Sequence, residues 1–289
     1  MESDDKGLVC VTGGTGYVAS WLIMRLLQQG YTVRTTLRPH SGQRDLSFLT
    51  SLPGATEKLH LFHADLNEPD SFRAAIEGCT GVFHVAHPVG NINAIPEDEL
   101  AKMTVEGTLG ILKVCAESKT VKRVVYTSSA ATVVYSEERR EVVDENTWSD
   151  IDFYRSLKTG AEAYVATKTK TEKAAWDFAE KHGLDLVTVI PTLVVGPFIC
   201  HNLPVSVGLG LALVLGNETH YKHLEGTSMV HVDDVASAHI HVSLKDIKGF
   251  SKSICSSKKL VDSGFKFKYS LDDVFDGAIQ SCKEKGFIS

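Results

Sequence analysis

The sequence predicts an α/β fold in which a doubly wound parallel sheet carries a smaller C-terminal lobe. Residues 8–11 form a short apolar run, residues 12–16 read TGGTG, and helical apolar spacing begins at Ser20. Short apolar runs then alternate with helical patterns as far as residue 191. This alternation is typical of βαβ units, and such units build parallel sheets with helices on both faces.

The composition narrows the class of partner. The 289 residues include 43% hydrophobic and 23% charged residues, and the formal net charge is −6. The length suits one α/β unit with a smaller lobe. A negative net charge provides no basic surface, which argues against nucleic acid or an acidic membrane as a partner. Residues 1–6 are polar and no apolar run could span a bilayer, so we expect a cytosolic protein without a membrane span.

Neither the cysteines nor the histidines show the spacing of a metal site. The six cysteines are scattered, and no two of them form a C-x-x-C pair. We therefore expect buried, reduced thiols and no bound metal. None of the 12 histidines belongs to an H-E-x-x-H motif, and the alternation of His239 and His241 predicts that both lie on one solvated face.

The glycine turn predicts a phosphate-binding site for a dinucleotide. Gly14, Gly16 and Ala19 match G-x-G-x-x-A, and Gly13, Gly16 and Ala19 match G-x-x-G-x-x-G with alanine in the last place. Amides of such a turn can approach a pyrophosphate, which the positive end of the next helix also attracts. The alternative is an ordinary glycine loop. The residues of this turn assigned to the cofactor are Gly13, Thr15, Gly16 and Tyr17.

The residues after the second predicted strand, 32–37, favour NADP over NAD. An NAD site usually has a carboxylate about 20 residues past the glycines, but none occurs from residue 6 to residue 44. Arg34, Arg38 and Arg44 lie there instead. A guanidinium can bind the 2′-phosphate of NADP, and Arg38 is the best candidate because it follows the strand end. The alternative is a solvated surface arginine.

The remaining elements bring polar residues to the carboxyl ends of strands, where doubly wound sheets bind ligands. Asp65 follows the third strand and can accept from the adenine amino group, and Ser128 and Ser129 follow the fifth. Gly107 and Gly110 in a long helix permit close packing on the sheet. We predict strands at residues 59–64, 81–86, 122–127 and 187–191, and helices at 67–78 with Asn67 as N-cap, 96–118, 160–182 and 270–285.

Tyr164 and Lys168 lie four residues apart in the helical stretch 160–182 and share one face of it. Such a pair on an amphipathic helix is usually surface decoration. Together with Ser129 and a dinucleotide turn, it provides the groups that reduce a carbonyl. The phenol donates a proton, the ammonium lowers the phenol pKa and holds the nicotinamide ribose, and the serine orients the carbonyl oxygen.

These residues resemble the extended short-chain dehydrogenase/reductase family, specifically the plant dihydroflavonol 4-reductase group and the vestitone reductase-like proteins within it. The likeness extends over almost the whole chain and rests on VCVTGGTGYVASW, YTSSAATV, DENTWSD, YVATK, IPTLVVGPF, MVHVDDVASAHI and the closing segment from SSKKL. It implies a Rossmann-type fold and the triad Ser129, Tyr164 and Lys168. The further positions that it places along NADP are Arg38, Arg44, Asp65, Leu66, Val85, Ala86, His87, Pro191, Thr192, Leu193, Val194 and Ser206.

Some positions depart from the pattern of that group. His87 stands where a small Ser or Thr is usual and would narrow the site. Val134 replaces a polar residue that reads the catechol ring of the substrate, which argues against dihydroflavonol. After Ser243 the chain runs on almost directly to the closing segment, so a few dozen residues, a strand and a helix, are expected to be missing.

The expected organisation is an NADP-binding domain over residues 1–190 and an interleaved, shortened substrate lobe over 191–289. Leucines between residues 200 and 229 either line a cleft for a small aromatic or polycyclic ketone or belong to the core. We expect an NADPH-dependent ketone reductase of plant specialised metabolism, as a monomer or weak dimer. The alternatives are a cofactor-binding regulatory homologue with little or no activity, and an alcohol dehydrogenase acting on an alkaloid-type substrate.

Overall fold

A parallel sheet of six strands organises the part of the chain that the structure describes. This computed structural model describes residues 6–39, 45–88, 95–138, 143, 147–224, 227–244 and 257–288. The strand order is β3-β2-β1-β4-β5-β6, so the order reverses between β1 and β4. The strands are β1 (Leu8–Val11), β2 (Thr32–Leu37), β3 (Leu59–His63), β4 (Gly81–His84), β5 (Arg123–Thr127) and β6 (Leu186–Val189).

The reversal of strand order determines where a ligand can bind. β1 pairs in parallel with β2 on one side and β4 on the other, with Val9 opposite both Val33 and Gly81. In doubly wound sheets the crevice outside the carboxyl ends of the strands opens at such a switch point. The predicted Rossmann-type sheet is confirmed, and the glycine turn after β1 lies at its switch point.

Helices cover both faces of the sheet. On one face, α1 and α9 pack against β1, β4 and β5 around Leu22, Ile23 and Ile240. On the other, α5 and α7 pack together over Ile111, Leu112 and Ala175. The described helices are α1 (Tyr17–Gln28), α2 (Ser47–Thr50), α3 (Ala55–Lys58), α4 (Arg73–Ile76), α5 (Glu97–Glu117), α6 (Ile151–Ser156), α7 (Glu162–His182), α8 (Val205–Gly210), α9 (Val232–Leu244), α10 (Lys258–Asp262) and α11 (Leu271–Glu284).

The helix predicted at residues 67–78 is wrong in form. A 3₁₀ turn over Pro69–Phe72 leads into the short α4, and Asn67 does not cap it. Asn67 instead donates its backbone N–H to Oδ1 of Asp65 at 2.9 Å, while the Ser71 hydroxyl accepts from the Asp65 N–H at 3.0 Å. These side-chain bonds hold the segment after β3 in a turn, and turns of this kind compete with helix formation.

The glycines of α5 contact this same turn rather than the sheet, which corrects the prediction. A Cβ on Gly107 would lie 2.8 Å from the backbone oxygen of Leu66, and one on Gly110 would lie 2.2 Å from Cβ of Pro69. Both glycines therefore let the segment after β3 lie directly on α5. This contact positions Asp65 and Leu66 at the carboxyl edge of the sheet.

The C-terminal lobe has its own small core. β7 (Leu193–Val195) pairs in parallel with β8 (Met229–His231), and α8 and α11 pack on them around Val195, Leu211 and Val274. Ser270 and Asp273 form a capping box at the start of α11, which matches the helix predicted there. The leucines divide between the two interpretations, because Leu211 is fully buried whereas Leu213 is 65% exposed.

The histidine prediction is wrong for His239. His239 is fully buried; its Nδ1–H donates to the Val235 carbonyl at 2.7 Å, and its Nε2 accepts from the Thr127 hydroxyl at 2.7 Å. His241 points elsewhere and bonds the Ser263 hydroxyl at 2.9 Å. The two residues are on α9, where positions two apart point in nearly opposite directions, so only one of them faces the core.

Two further predictions can be compared with the structure only in part, because some of their residues lie outside the described ranges. Cys10, Cys79, Cys115, Cys200 and Cys282 are buried free thiols, as expected, while Cys255 lies outside the described residues. The junction expected after Ser243 leads into residues 245–256, which also lie outside them. Within the described ranges, no helix combines the length and the apolar composition that crossing a bilayer needs.

Candidate active site

The glycine turn after β1 needs its glycines for steric reasons. Gly13 has a φ of +75°, and a Cβ there would lie 3.0 Å from Cα of Ala86. A Cβ on Gly14 would lie 2.3 Å from Oγ1 of Thr35. The turn is thus pressed between the ends of β2 and β4, and Thr15 and Gly16 lie at the start of α1.

The N-terminus of α1 has the properties of an anion site. The helix begins at Tyr17 with Gly16 as N-cap, three residues earlier than the sequence pattern predicts, and no side chain bonds its first-turn N–H groups. Unpaired amides and the positive end of the helix dipole suit a pyrophosphate. The Tyr17 phenol turns away and donates to the Gly196 carbonyl at 3.1 Å, which links the turn to the C-terminal lobe.

A buried histidine that the sequence analysis missed ties the turn to β4. The Thr12 hydroxyl accepts from the backbone N–H groups of Val85 and Ala86 at 3.1 and 3.0 Å, and it lies 3.0 Å from Nδ1 of His84. Because its lone pairs are used, the hydroxyl donates to Nδ1, and Nε2 of His84 is left to donate to Thr108 at 3.2 Å. Burial and, to a smaller extent, the charge of Lys168 lower the pKa of His84 to about 3, so the ring is neutral.

The arginines that were assigned to the 2′-phosphate have different positions. Arg38 directly follows β2 at its carboxyl end and is exposed. Arg34 donates instead to the carbonyls of Ala74 and Glu77 at 3.1 and 2.6 Å, on the far side of the strand. Arg44 lies outside the described residues. Arg38 therefore remains the candidate in the described part of the chain.

The three residues of the expected triad come together at the carboxyl end of β5. Ser129 follows this strand, and its hydroxyl is near enough to the Tyr164 phenol to act on the pKa of that phenol. Lys168, one turn further along α7, donates from Nζ to the Thr127 carbonyl at 3.1 Å. α7 holds this geometry because an acid lies in its first turn, bases lie in its last, and Gly183 ends it in the left-handed conformation.

Burial governs the proton affinities of the triad. It lowers the pKa of the Lys168 ammonium from 10.5 to about 8. It raises the pKa of the Tyr164 phenol, while the nearby Ser129 hydroxyl acts in the lowering direction. The sequence analysis expected the ammonium to lower the phenol pKa, but in this structure burial prevails. A phenol that stays protonated at neutral pH retains the proton that a donor needs.

His87 lies against the phenol of Tyr164, where a smaller residue was expected. Its ring and that of Tyr164 meet edge to face with centroids 5.8 Å apart. Burial lowers the pKa of His87, and the charges of Lys168 and His84 lower it further. The imidazole is therefore a neutral group that occupies space beside Tyr164.

The segment expected to cover the nicotinamide adjoins the triad. The carbonyl of Pro191 accepts from the backbone N–H of Ala130 at 2.8 Å, directly after Ser129. Thr192 follows, and Leu193 and Val194 belong to β7. Ser206 lies half-buried on the short α8, beside Val207 in the lobe core. The segment from Pro191 to Val194 therefore leads directly from the end of β6 into the lobe, and Ser206 follows later in the chain.

The site also contains a carboxyl group that the sequence analysis missed. Glu172 is on α7, four residues past Lys168, and only 1% of it is exposed. Its Oε2 accepts from the Ser128 hydroxyl at 2.5 Å. Nothing in the composition of α7 distinguished this glutamate from the solvated glutamates of the same helix.

Comparisons with known proteins find a family and relatives that match most of the chain. The NAD dependent epimerase/dehydratase family model matches residues 9–251. Vestitone reductase from Medicago sativa is 46% identical over 326 residues, covering 99% of this chain and 100% of that protein. Dihydroflavonol 4-reductase from Zea mays is 44% identical over 326 residues, covering 99% of this chain and 91% of that protein.

Solved structures show the same likeness. The crystal structure of vestitone reductase from alfalfa matches with a TM-score of 0.85 at 45% identity, covering 98% of this chain and 100% of that one. The structure of yeast methylglyoxal/isovaleraldehyde reductase Gre2 complexed with NADPH matches with a TM-score of 0.77 at 23% identity, covering 97% of this chain and 100% of that one. At that identity, the second match shows a shared fold alone.

Proposed function

Since this chain belongs to the NAD dependent epimerase/dehydratase family, and within it to the dihydroflavonol 4-reductase and vestitone reductase group, we propose that it reduces an aromatic ketone with NADPH. Membership makes it an oxidoreductase that acts on CH–OH groups with a nicotinamide dinucleotide. The observation that carries the finer proposal is the meeting of three side chains at the end of β5: Ser129 follows the strand, Tyr164 lies beside it on α7, and Lys168, one helical turn further on, donates to the Thr127 carbonyl.

The three side chains divide the work at the carbonyl. Tyr164 donates its phenolic proton to the carbonyl oxygen, and the Ser129 hydroxyl holds that oxygen by a hydrogen bond. A bound nicotinamide supplies the hydride that goes to the carbonyl carbon. Lys168 stabilises the phenolate that remains, because its ammonium group lies on the same face of α7 one turn further on.

The chain's own residues fit a dinucleotide along the carboxyl edge of the sheet. The turn at Gly13, Thr15 and Gly16 would hold the pyrophosphate through its amides, and Asp65 and Leu66 would face the adenine. Arg38 supports NADPH over NADH, since a guanidinium at the end of β2 suits a 2′-phosphate. The segment from Val85 to His87 and the segment from Pro191 to Val194 would enclose the nicotinamide end, with Ser206 nearby.

An aromatic or polycyclic ketone is the substrate class that the side chains support. Val134 is 37% exposed just after the 3₁₀ turn that follows Ser129, so an apolar group occupies this part of the site. The relatives are named for vestitone and dihydroflavonol, which are aromatic ketones. His87 and Val134 favour a substrate less polar than a dihydroflavonol on the face next to Tyr164.

The proposed domain division keeps residues 1–190 as the cofactor domain and 191–289 as the interleaved, shortened lobe. α9 supports the interleaving because it packs back on α1 and β5. A shortened lobe is supported by the aligned length, which is 326 positions for each plant reductase against 289 residues in this chain. The shortened lobe also favours the second candidate, a cofactor-binding homologue with little turnover.

Oxidation of NADPH in the presence of vestitone, a dihydroflavonol and a flavanone tests the proposal. We expect turnover with at least one of these ketones and slower turnover with NADH. The reverse assay, with NADP⁺ and the corresponding alcohols, tests the alcohol dehydrogenase alternative. Tight NADPH binding without turnover in either direction would favour the second candidate and reject the reductase proposal.

A further inference from the structure

Glu172 is the third member of a row on α7 that begins with the two catalytic side chains. Tyr164, Lys168 and Glu172 follow one another at intervals of four residues and therefore lie on one face of the helix. Lys168 and Glu172 are both buried, with 5% and 1% of their surfaces exposed. The mechanism proposed above assigns no task to the carboxyl group.

The carboxyl group joins α7 to the strand end that carries the catalytic serine. The Ser128 hydroxyl donates to its Oε2 at 2.5 Å, and Ser128 immediately precedes Ser129. Two more hydroxyl groups act to lower the pKa of this carboxyl group. They belong to Thr132, in the 3₁₀ turn that Ser129 caps, and to Thr188 on β6. One side chain thus connects the helix of Tyr164 with the loop of Ser129.

We propose that Glu172, which joins α7 to the strand end that carries Ser129, is a positioning residue that keeps Lys168 in its ammonium form. Its effect on turnover rests on the reductase function proposed above. Its effect on the proton affinity of Lys168 belongs to the folded protein and does not depend on any substrate.

The charge environment of Lys168 supports this inference. The described groups that face its ammonium are Tyr164 and Glu172 on its own helix, the Tyr126 ring on β5 at 5.5 Å, and His84 and His87 at the end of β4. Both imidazoles and both phenols are neutral near pH 7, because burial lowers the pKa of each imidazole and raises that of each phenol. Glu172 is the one carboxyl group among them.

The direction of the electrostatic effect follows from these neighbours. Burial lowers the pKa of Lys168, and Glu172 opposes that change. Burial raises the pKa of Glu172 above its ordinary value, and the three hydroxyls together with Lys168 limit that rise. A carboxylate in this position therefore offsets part of the cost of burying the ammonium. A glutamine side chain would keep hydrogen bonds but would carry no charge to offset that cost.

The direct test titrates Lys168 in the ligand-free protein. Lysines carrying a ¹³C label at Cε would be followed by NMR from about pH 6 to about pH 11, and the Lys168 signal would be assigned by its loss in Lys168→Met. We expect wild type to titrate near 8, and Glu172→Gln to titrate at a clearly lower pH. Glu180→Gln, which changes an exposed glutamate of the same helix, should titrate as wild type does.

A second variant separates charge from hydrogen bonding. Ser128→Ala removes the donor to Glu172 but leaves the carboxylate, so it should leave the Lys168 titration close to that of wild type. If Glu172→Gln does not fold, Glu172→Asp moves the charge away by one methylene and should lower the pKa in the same direction. A Lys168 titration unchanged in whichever Glu172 variant folds would overturn the proposal.

The kinetic test uses the ketone of the panel that wild type reduces best. We expect kcat to fall above the Lys168 pKa, and this fall should begin at lower pH in Glu172→Gln. Each full unit of that change reduces the protonated fraction at higher pH about tenfold. A kcat lowered by one factor at every pH would show a merely structural role and overturn the proposal. If wild type turns over no ketone, the reductase proposal fails, while the NMR titration still decides the role of Glu172.

Discussion

The Thr12 hydroxyl lies 3.0 Å from Nδ1 of His84, and this contact holds the glycine turn against the end of β4. The same hydroxyl accepts from the N–H groups of Val85 and Ala86, so a neutral, buried histidine supports two segments of the candidate cofactor site. This geometry and the glycine contacts make several outcomes predictable.

We predict that the protein loses stability on acidification below about pH 6.5. Burial lowers the pKa of His84 to about 3 and that of His239 to about 4, both from 6.5, so the folded state binds fewer protons than the unfolded state between these values. Stability is therefore complete above pH 6.5 and falls by about 1.4 kcal/mol per pH unit for each histidine as the pH decreases. Urea unfolding at several pH values measures this change in the free energy of unfolding.

Matched variants test whether His84 and His239 cause this loss of stability at low pH. His84→Asn and His239→Gln should each flatten the slope below pH 6.5, although each costs stability at neutral pH. His60→Gln changes an exposed histidine and should retain the wild-type slope. A slope that is the same in all three variants would reject this account.

Gly14→Ala should impair both folding and cofactor binding. The added methyl would lie 2.3 Å from the Thr35 hydroxyl, which itself donates to the Val11 carbonyl, so the turn must shift. Overpacking of this kind costs about 1 to 3 kcal/mol. Gly208→Ala is the control, since its methyl would make an ordinary contact at 3.5 Å. The melting temperatures of the two variants, measured with and without NADPH, test this prediction. Equal changes in Gly14→Ala and Gly208→Ala would contradict it.

Arg38→Ala should weaken NADPH binding while leaving NADH binding nearly unchanged. The loss of one charge-assisted contact costs about 1.5 to 3 kcal/mol, or roughly tenfold to a hundredfold in affinity. Arg73→Ala, which removes a surface arginine paired with Asp70 and Glu117, should bind both coenzymes as wild type does. Titration calorimetry measures the six affinities of the three proteins for the two coenzymes, and a wild type that binds NADPH and NADH equally would contradict the assignment.

Restoring the expected missing segment should stabilise the protein and raise turnover. A strand and a helix that are absent from the substrate side leave apolar surface exposed, at about 25 cal/mol per Å². Leu244 is 61% exposed at the end of α9, where the segment would follow. The test grafts the segment of a plant relative between Ser243 and Leu244. If melting temperature and turnover stay unchanged, the lobe is complete without it.

The sequence predicted the parts of the fold that follow from local pattern. β1 and β2 have the predicted bounds, because β1 is an apolar run between Gly7 and the glycine turn and β2 is a β-rich run between Gly30 and Arg38. The spacing of Tyr164 and Lys168 predicted that the two side chains share one face, because any helix brings such residues together. The segment after β3 was mistaken for one helix because the Asp65 side-chain bond, which favours a turn, was not considered.

What the sequence could not predict depends on burial by distant elements. Glu172 belongs to a helix rich in charged residues, and only its packing against β5 and β6 distinguishes it from its solvated neighbours. His84 appears in an apolar strand where a histidine has several interpretations, and its partner Thr12 is 72 residues away. Both residues can be recognised only in the folded protein, where the assembled sheet brings their distant partners next to them.

The most direct test of the central claim is the turnover of Tyr164→Phe with the best ketone and NADPH. Phenylalanine keeps the ring that packs against His87 but removes the proton that goes to the carbonyl oxygen. We predict that kcat falls at least about a hundredfold while the Kd of NADPH changes little. A Tyr164→Phe enzyme that retains most of its kcat would contradict the assignment of Tyr164 as the proton donor.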